Sequence, residues 1–171
     1  MPTTKEMLDD WYQRAKVTQL AHYGSAEYFG KWKFGLGIPA VILSALVGTT
    51  VFATLQKQPE LWLQIIVGFA SVAAALLTSL QTFLGYSERA EKHRIAGAKY
   101  GAVGRELEYI RTLSNVDEAK LENLRKRLDD LAYESPNNPK NIYYKASAGQ
   151  LKDYSTTANS RFDEVLILKQ S

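Results

Sequence analysis

His22 and His93 are the only imidazoles in the chain. With no cysteine among 171 residues, they carry whatever near-neutral acid–base or metal chemistry the sequence offers. Their settings are alike, AHYGSAEY and AEKHRIAGAKY, and each lies roughly three helical turns from a long uncharged stretch. An antiparallel helix pair would bring them to similar heights. A pH-sensing, gating or metal role fits imidazole chemistry, but no third ligand stands at a suitable spacing. Structural hydrogen bonding is the favoured reading, and no metal site is expected.

A second set of polar groups lies where charge is absent. Gln64, Gly68, Ser71, Ala75, Thr78 and Thr82 fall at heptad-type spacing, a continuous polar and small stripe along one helix. It has two readings: packing against the neighbouring helix of the same chain, or facing a central pathway between several copies. In the second reading Gln64, Ser71, Thr78 and Thr82 are the candidate pore-lining residues. With no charge along it, such a path would discriminate weakly among small ions. Ala40, Ser44 and Gly48 repeat every fourth residue on the other uncharged segment, with Gly37 nearby. Together with Gly68 and Ala75 they are the candidate helix-packing positions, small enough to let two backbones approach.

The remaining chemistry is excluded. Without cysteine there are no disulfides, thiol nucleophiles or iron–sulfur ligands. Phosphate-cradling glycine loops, paired catalytic carboxylates and Ser/His/Asp groupings are missing, so neither an enzyme nor a cofactor is expected. The net charge of +3 is small and its cations are interleaved with acids, which argues against nucleic acid. Arg125-Lys126-Arg127 beside Asp129-Asp130 reads as a solvated face, with a weak anionic-lipid or nucleotide contact as the sharper alternative.

These residues need two membrane-crossing helices to position them. The uncharged segments 34–56 and 61–87 each meet the roughly 20 apolar residues that a bilayer core demands. Only Lys57, Gln58, Pro59 and Glu60 separate them, so the pair forms an antiparallel hairpin. Trp62 anchors one interface, and Trp32 and Tyr86 flank the other. The first segment starts too far from Met1 and lacks a cleavage site, so retention is expected rather than removal as a signal peptide. The competing reading, a buried helical pair in a soluble protein, would ordinarily leave a charged stripe on each helix. Arg14, Lys16, Lys31 and Lys33 precede the hairpin, and Arg89, Lys92, Arg94, Lys99 and Arg105 follow it. Both termini are therefore expected in the cytoplasm of a multi-pass membrane protein.

The expected architecture is an all-α membrane protein in one unit over 1–171. A cytoplasmic helix at 5–29 precedes the hairpin, a cytoplasmic helical region occupies 88–152, and the tail at 153–171 is unassigned. Leu8, Trp11, Ala15, Tyr23 and Ala26 mark the first helix. The proline-free stretch 87–112 suggests that the second membrane helix continues as a straight stalk, thinned at Gly97, Gly101 and Gly104. Asn115 with Glu118 suggests a capping box for a helix carrying Leu121, Leu124, Leu128 and Leu131. Ser135-Pro136-Asn137-Asn138-Pro139 breaks the chain before a further short helix.

Three stretches together, AHYGSAEYFGKWKFGLGIPAVILSALVGTT, LQTFLGYSERAEKHRIAGAKYGAVGRELE and LRKRLDDLAYESPNNPKNIYYKA, resemble the SLATT family of small two-transmembrane effector domains. The resemblance covers roughly residues 11–146 and rests on the order and spacing of GIP, AEKH and SPNNP. It implies a homo-oligomeric inner-membrane effector of bacterial antiphage defence, forming a pore or disrupting the membrane. The implied trigger is a cytoplasmic sensor, nucleotide-synthetase or reverse-transcriptase partner. The alternatives are a non-conducting membrane anchor or scaffold for a cytoplasmic enzyme, and a holin-like phage membrane protein.

Overall fold

The computed structural model describes residues 3–54, 60–113 and 115–150, which are helical with no strand among them. The interhelical connection at 55–59 and the tail at 153–171 lie outside the described residues. The first helix, α1 (Thr4–Thr54), runs 51 residues without a break. The helix expected at 5–29 and the membrane segment beginning at Phe34 are thus one element. The intervening Gly-Lys-Trp-Lys holds only one weak helix former, whose cost of about 1 kcal/mol does not end a helix. Pro39 lies inside α1 and removes a single backbone hydrogen bond. A reciprocal capping box opens the element: Glu6 N–H donates to Thr3 Oγ1 at 3.3 Å, and Thr3 N–H donates to Glu6 Oε2 at 2.8 Å.

The second apolar helix, α2 (Leu61–Leu84), ends three residues short of Ser87. Gly85 adopts φ 57°, ψ 33°, and its N–H donates to Gln81 O at 3.3 Å, a left-handed cap that glycine adopts at no steric cost. The next helix, α3 (Tyr86–Ile110), starts immediately. The straight stalk is therefore corrected to two helices with a one-residue interruption. Helix α4 (Glu118–Glu134) is capped by Asp117, whose side chain accepts from Ala119 N–H at 3.2 Å. That corrects the cap expected at Asn115: the carboxylate one residue before the helix both accepts the bond and complements the helix dipole. Ser135 is extended, as the residue before a proline prefers, and ends α4. A further helical run occupies 140–150.

Two compact units result, one of Met1–Ala26 with Glu91–Ser171, the other of Glu27–Ala90. The first has a conventional core. Leu8 and Ala15 of α1 meet Tyr100, Val103, Leu107 and Ile110 of α3 and Leu124 of α4, with Trp11, Leu121, Leu128 and Leu131 packed around them. Each large aliphatic side chain fully buried there contributes about 1.5–3 kcal/mol. Glycines let α1 and α3 approach: a Cβ on Gly97 would lie 3.1 Å from the Tyr23 ring, and one on Gly101 2.6 Å from the Gln19 amide. The ion pairs Arg111–Asp9, Arg127–Glu106 and Lys99–Glu134 tie the same helices at their surface.

The second unit inverts this distribution. Phe69, Leu76 and Phe83 of α2 are 74%, 66% and 86% exposed, and only 6% of the most apolar window of each long helix is buried. The core helix of a soluble protein would be mostly buried, and so large a continuous apolar surface demands a lipid or protein covering. Both helices are long and apolar enough to cross a membrane.

Candidate functional sites: the histidine cluster and the apolar helix pair

His22 on α1 and His93 on α3 meet in the first unit. Their Nδ1 atoms are 2.9 Å apart, with ring centroids 5.2 Å apart, and both side chains are buried. One Nδ1–H donates to the other ring's unprotonated Nδ1, so two neutral imidazoles of opposite tautomer satisfy the contact. Two imidazolium rings would set proton against proton. Burial, and secondarily the neighbouring His93, hold His22 down at about 4, and burial also lowers His93. The pair is neutral near pH 7.

Other groups enclose the pair. The Tyr100 ring stacks on His22 at 5.5 Å and 18°, and its hydroxyl bonds Ser135. Burial raises the Tyr100 phenol above its usual range, against the lowering effect of that bond. Ser25 Oγ, fully buried, lies 2.8 Å from both Ala21 O and Asn138 Oδ1. Its single proton serves one of them at a time, and the other Asn138 amide orientation would donate to Oγ instead. The Ser-Pro-Asn-Asn-Pro strap is thereby bonded to α3 through Ser135 and to α1 through Asn138. Ile142 packs so closely on Gly24 that a Cβ there would lie 2.9 Å from Cγ2. A cavity of about 610 Å³ opens beside the cluster, lined by His22, Tyr100, Asn137, Asn138 and Lys140 among others. No group of three metal-ligating side chains occurs among the described residues. Sequence reasoning brought the two histidines to similar heights but did not find Ser25, Tyr100 or Asn138. The strap between two prolines was the available signal for the last.

In the second unit, the partly or fully buried positions of α2 are led by Leu63, Val67, Ala70, Ala74, Leu77, Gln81 and Leu84, a 4-3-4 repeat. The facing positions on α1 include Leu36, Gly37, Ala40, Leu43 and Val47. At Gly37 the two helices are in contact: a Cβ there would stand 3.0 Å from Gln81 Nε2. Gln81, a polar seam residue, was absent from the sequence-derived stripe; its seven-residue spacing from Ala74 was the signal. Of the small residues singled out, Gly37 and Ala40 sit in this seam, Gly48 is half-buried with open space around it, and Ser44, Gly68 and Ala75 are exposed.

The polar stripe lies one residue further along, which rotates it by about 100° from the seam. Gln64, Thr78 and Thr82 are exposed and Ser71 is half-buried. The hydroxyls of Ser71, Thr78 and Thr82 donate to the carbonyls four residues earlier, at 2.8, 2.9 and 3.0 Å. Each has placed its proton within α2 and keeps acceptor lone pairs for the face it presents.

At one end of this unit an aromatic collar joins the two chain segments. Tyr86 stacks on Phe29 and on Trp32, each at 6.1 Å, and the Arg89 guanidinium lies 6.0 Å from the Phe29 centroid. Amphipathic rings beside a cation suit a membrane–water boundary.

Neither the curated proteins nor the solved structures yield a match to this chain. One protein family does, over residues 4–161, and its description carries the two membrane helices seen above. The chain belongs to that family, the SMODS and SLOG-associating 2TM effector domain family 4 of the SLATT group.

Proposed function

We propose that this membrane effector acts in bacterial defence by assembling into a homo-oligomeric pore in the inner membrane, with the polar stripe of α2 turned toward a central path. Both termini lie on the cytoplasmic side, in keeping with the cations that flank the hairpin. A partner of the SMODS or SLOG type, a nucleotide synthetase or sensor, triggers the assembly through the first unit, in keeping with the family's printed association.

The observation that carries this reading is the exposure of Ala75, Thr78 and Thr82 of α2 outside the α1–α2 seam. A polar face inside lipid finds no hydrogen-bonding solvent there, so it is stabilised by meeting another copy or by meeting water. Had the stripe packed within its own hairpin, a single chain would satisfy it and association would have no such driving force. No ionised side chain occurs in 34–56 or 61–87, so the path would pass small ions with little discrimination.

Reconstitution into vesicles holding an entrapped ion tests the reading. Protein concentrated to oligomerise should release the ion. Ser71→Leu or Thr78→Leu should slow release by about tenfold, the equivalent of roughly 1.4 kcal/mol on the barrier, while assembly persists. Vesicles that stay sealed under an assembled wild-type protein would instead favour the non-conducting scaffold.

A further inference from the structure

The cavity of about 610 Å³ beside the histidine pair falls within the ~300–1,000 Å³ of small-ligand sites, and all of its lining belongs to the first unit. Its buried lining is His22 and Tyr100, and its exposed lining includes Asn137, Lys140, Tyr143 and Tyr144. No carboxylate lines it, although the chain holds 18 Asp and Glu, so the charge inside is set by Lys140. That lysine has no acidic partner among the described residues. The helix at 140–150 starts at the same wall. Pro139 O accepts from Ile142 N–H at 3.0 Å and from Tyr143 N–H at 3.1 Å, which leaves the N–H groups of Lys140 and Asn141 as the open donors of the first turn. An anion is favoured there by the ammonium, by those donors and by the helix dipole together.

His22 points to a ligand independently. It is 1% exposed and lines the cavity, its Nδ1 is taken by His93, and no described residue bonds its Nε2. Because the pair holds one Nδ1 proton between two rings, Nε2 donates when His22 accepts from His93 and accepts when His22 donates. The pair thus suits a ligand atom of either sense. One end of the Asn138 amide is engaged by Ser25 Oγ at 2.8 Å, its other end is open, and Asn137 adds a second amide. Tyr143 and Tyr144, 41% and 69% exposed, supply aromatic surface.

We infer that this cavity binds a mononucleotide, its phosphate at Lys140 and the start of the helix at 140–150, its base against the Tyr143 and Tyr144 rings, and its polar edges at Asn137, Asn138 and His22 Nε2. A base offers a π-face to tyrosine and both donors and acceptors to side-chain amides. Inorganic phosphate would meet the cationic end alone and leave the rings, the amides and His22 Nε2 unaddressed. A neutral ring compound would leave Lys140 and the helix start without an anion. The bound nucleotide touches α1, the strap and the last helix at once, so it stabilises their packing by mass action. The inference goes beyond the pore reading: it rests on the fold of the first unit and needs no conducting path.

Calorimetric titration of the full chain in detergent micelles tests it. The probes are adenosine, guanosine, cytidine and uridine 5′-monophosphate, with ribose 5-phosphate, the matching nucleoside and inorganic phosphate as partial ligands. At least one monophosphate should bind at one site per chain, and each of its fragments at least about tenfold more weakly, because base stacking and the charge-assisted bonds each contribute that much. Lys140→Gln and Tyr144→Leu replace exposed side chains outside the core, and each should weaken binding by about tenfold with helical circular dichroism unchanged. In protein labelled with ¹⁵N at histidine, saturation should also shift the His22 Nε2 resonance, which a ligand held only at the exposed lysine would leave in place. Absence of binding by all four monophosphates at millimolar concentration would overturn the inference. Inorganic phosphate binding as tightly as the nucleotide would overturn it too, leaving an anion site only. So would a nucleotide affinity unchanged in either variant, or an unmoved His22 Nε2, each of which places the ligand elsewhere. None of these results depends on ion release, so the nucleotide site and the pore stand or fall separately.

Discussion

The histidine pair is where a single proton changes the most. His22 has its folded value near 4 against about 6.5 in the unfolded chain, so the unfolded state takes up the proton first as pH falls. The contribution of neutral His22 to stability is complete above pH 6.5. It declines through the window from 6.5 to 4 by up to about 1.4 kcal/mol per pH unit, and falls no further below 4. His93, lowered by burial, adds a decline of the same sign. Thermal melts at pH 7 and pH 5 should show a loss of stability in the wild type that is markedly smaller in His22→Gln, which keeps a hydrogen-bonding side chain and cannot titrate. Equal pH dependence in the two proteins would remove the pair as the cause. The meeting of these residues was legible because similar settings lie at similar distances from the two uncharged stretches. Their tautomeric contact was not, since a periodicity places a ring on a face without saying which nitrogen it presents.

At the scale of helices, apolar periodicity identified the long elements but not their ends. Gly85 sits within an uncharged run, so hydropathy read 61–87 as one span; a lone left-handed residue leaves no trace in a hydropathy pattern. The Thr3-to-Glu6 box, by contrast, was present in the sequence as T-x-x-E, and Asp117 stood two positions from the cap inferred at Asn115. Two glycines now separate the meanings of that residue. Gly85→Ala places a Cβ in the left-handed region and should destabilise the fold by about 1–2 kcal/mol. Gly30→Ala, inside α1 with nothing within 4 Å of the new methyl, should stabilise it by up to about 1 kcal/mol. Chemical melts in detergent distinguish the two. A neutral or stabilising Gly85→Ala would mean that α2 and α3 join into one helix without cost. The sequence does not choose between the two readings of the polar stripe because both use the same residues; the seam at Leu63, Val67, Ala70, Ala74 and Leu77, one position away on the helix, carries no polar group that a hydropathy pattern would mark.

The whole molecule combines two kinds of stability in one chain. The charge-free segments made the membrane part legible from the sequence alone, while the leucines of α3 and α4 concealed how fully the other part builds a core of its own. The first unit buries Leu107 and Leu124 almost completely, so it depends on excluding water and weakens in urea, which solvates apolar and peptide groups alike. The second exposes its leucines and phenylalanines and depends on the surrounding apolar phase, where every backbone group must stay bonded in a helix. Urea acts through water and reaches that phase poorly. Unfolding in micelles should therefore occur in two steps despite the unbroken α1. The tryptophans supply the probe: Trp11 packs on the core of the first unit, while Trp32 and Trp62 are exposed in the second. In a Trp32→Phe, Trp62→Phe variant, Trp11 fluorescence should pass through its transition at lower urea than the helical circular dichroism completes its loss. Substantial ellipticity should survive the first step, because α2 and the membrane part of α1 remain helical. A single transition, coincident by both probes, would show that the continuous helix couples the units into one cooperative body.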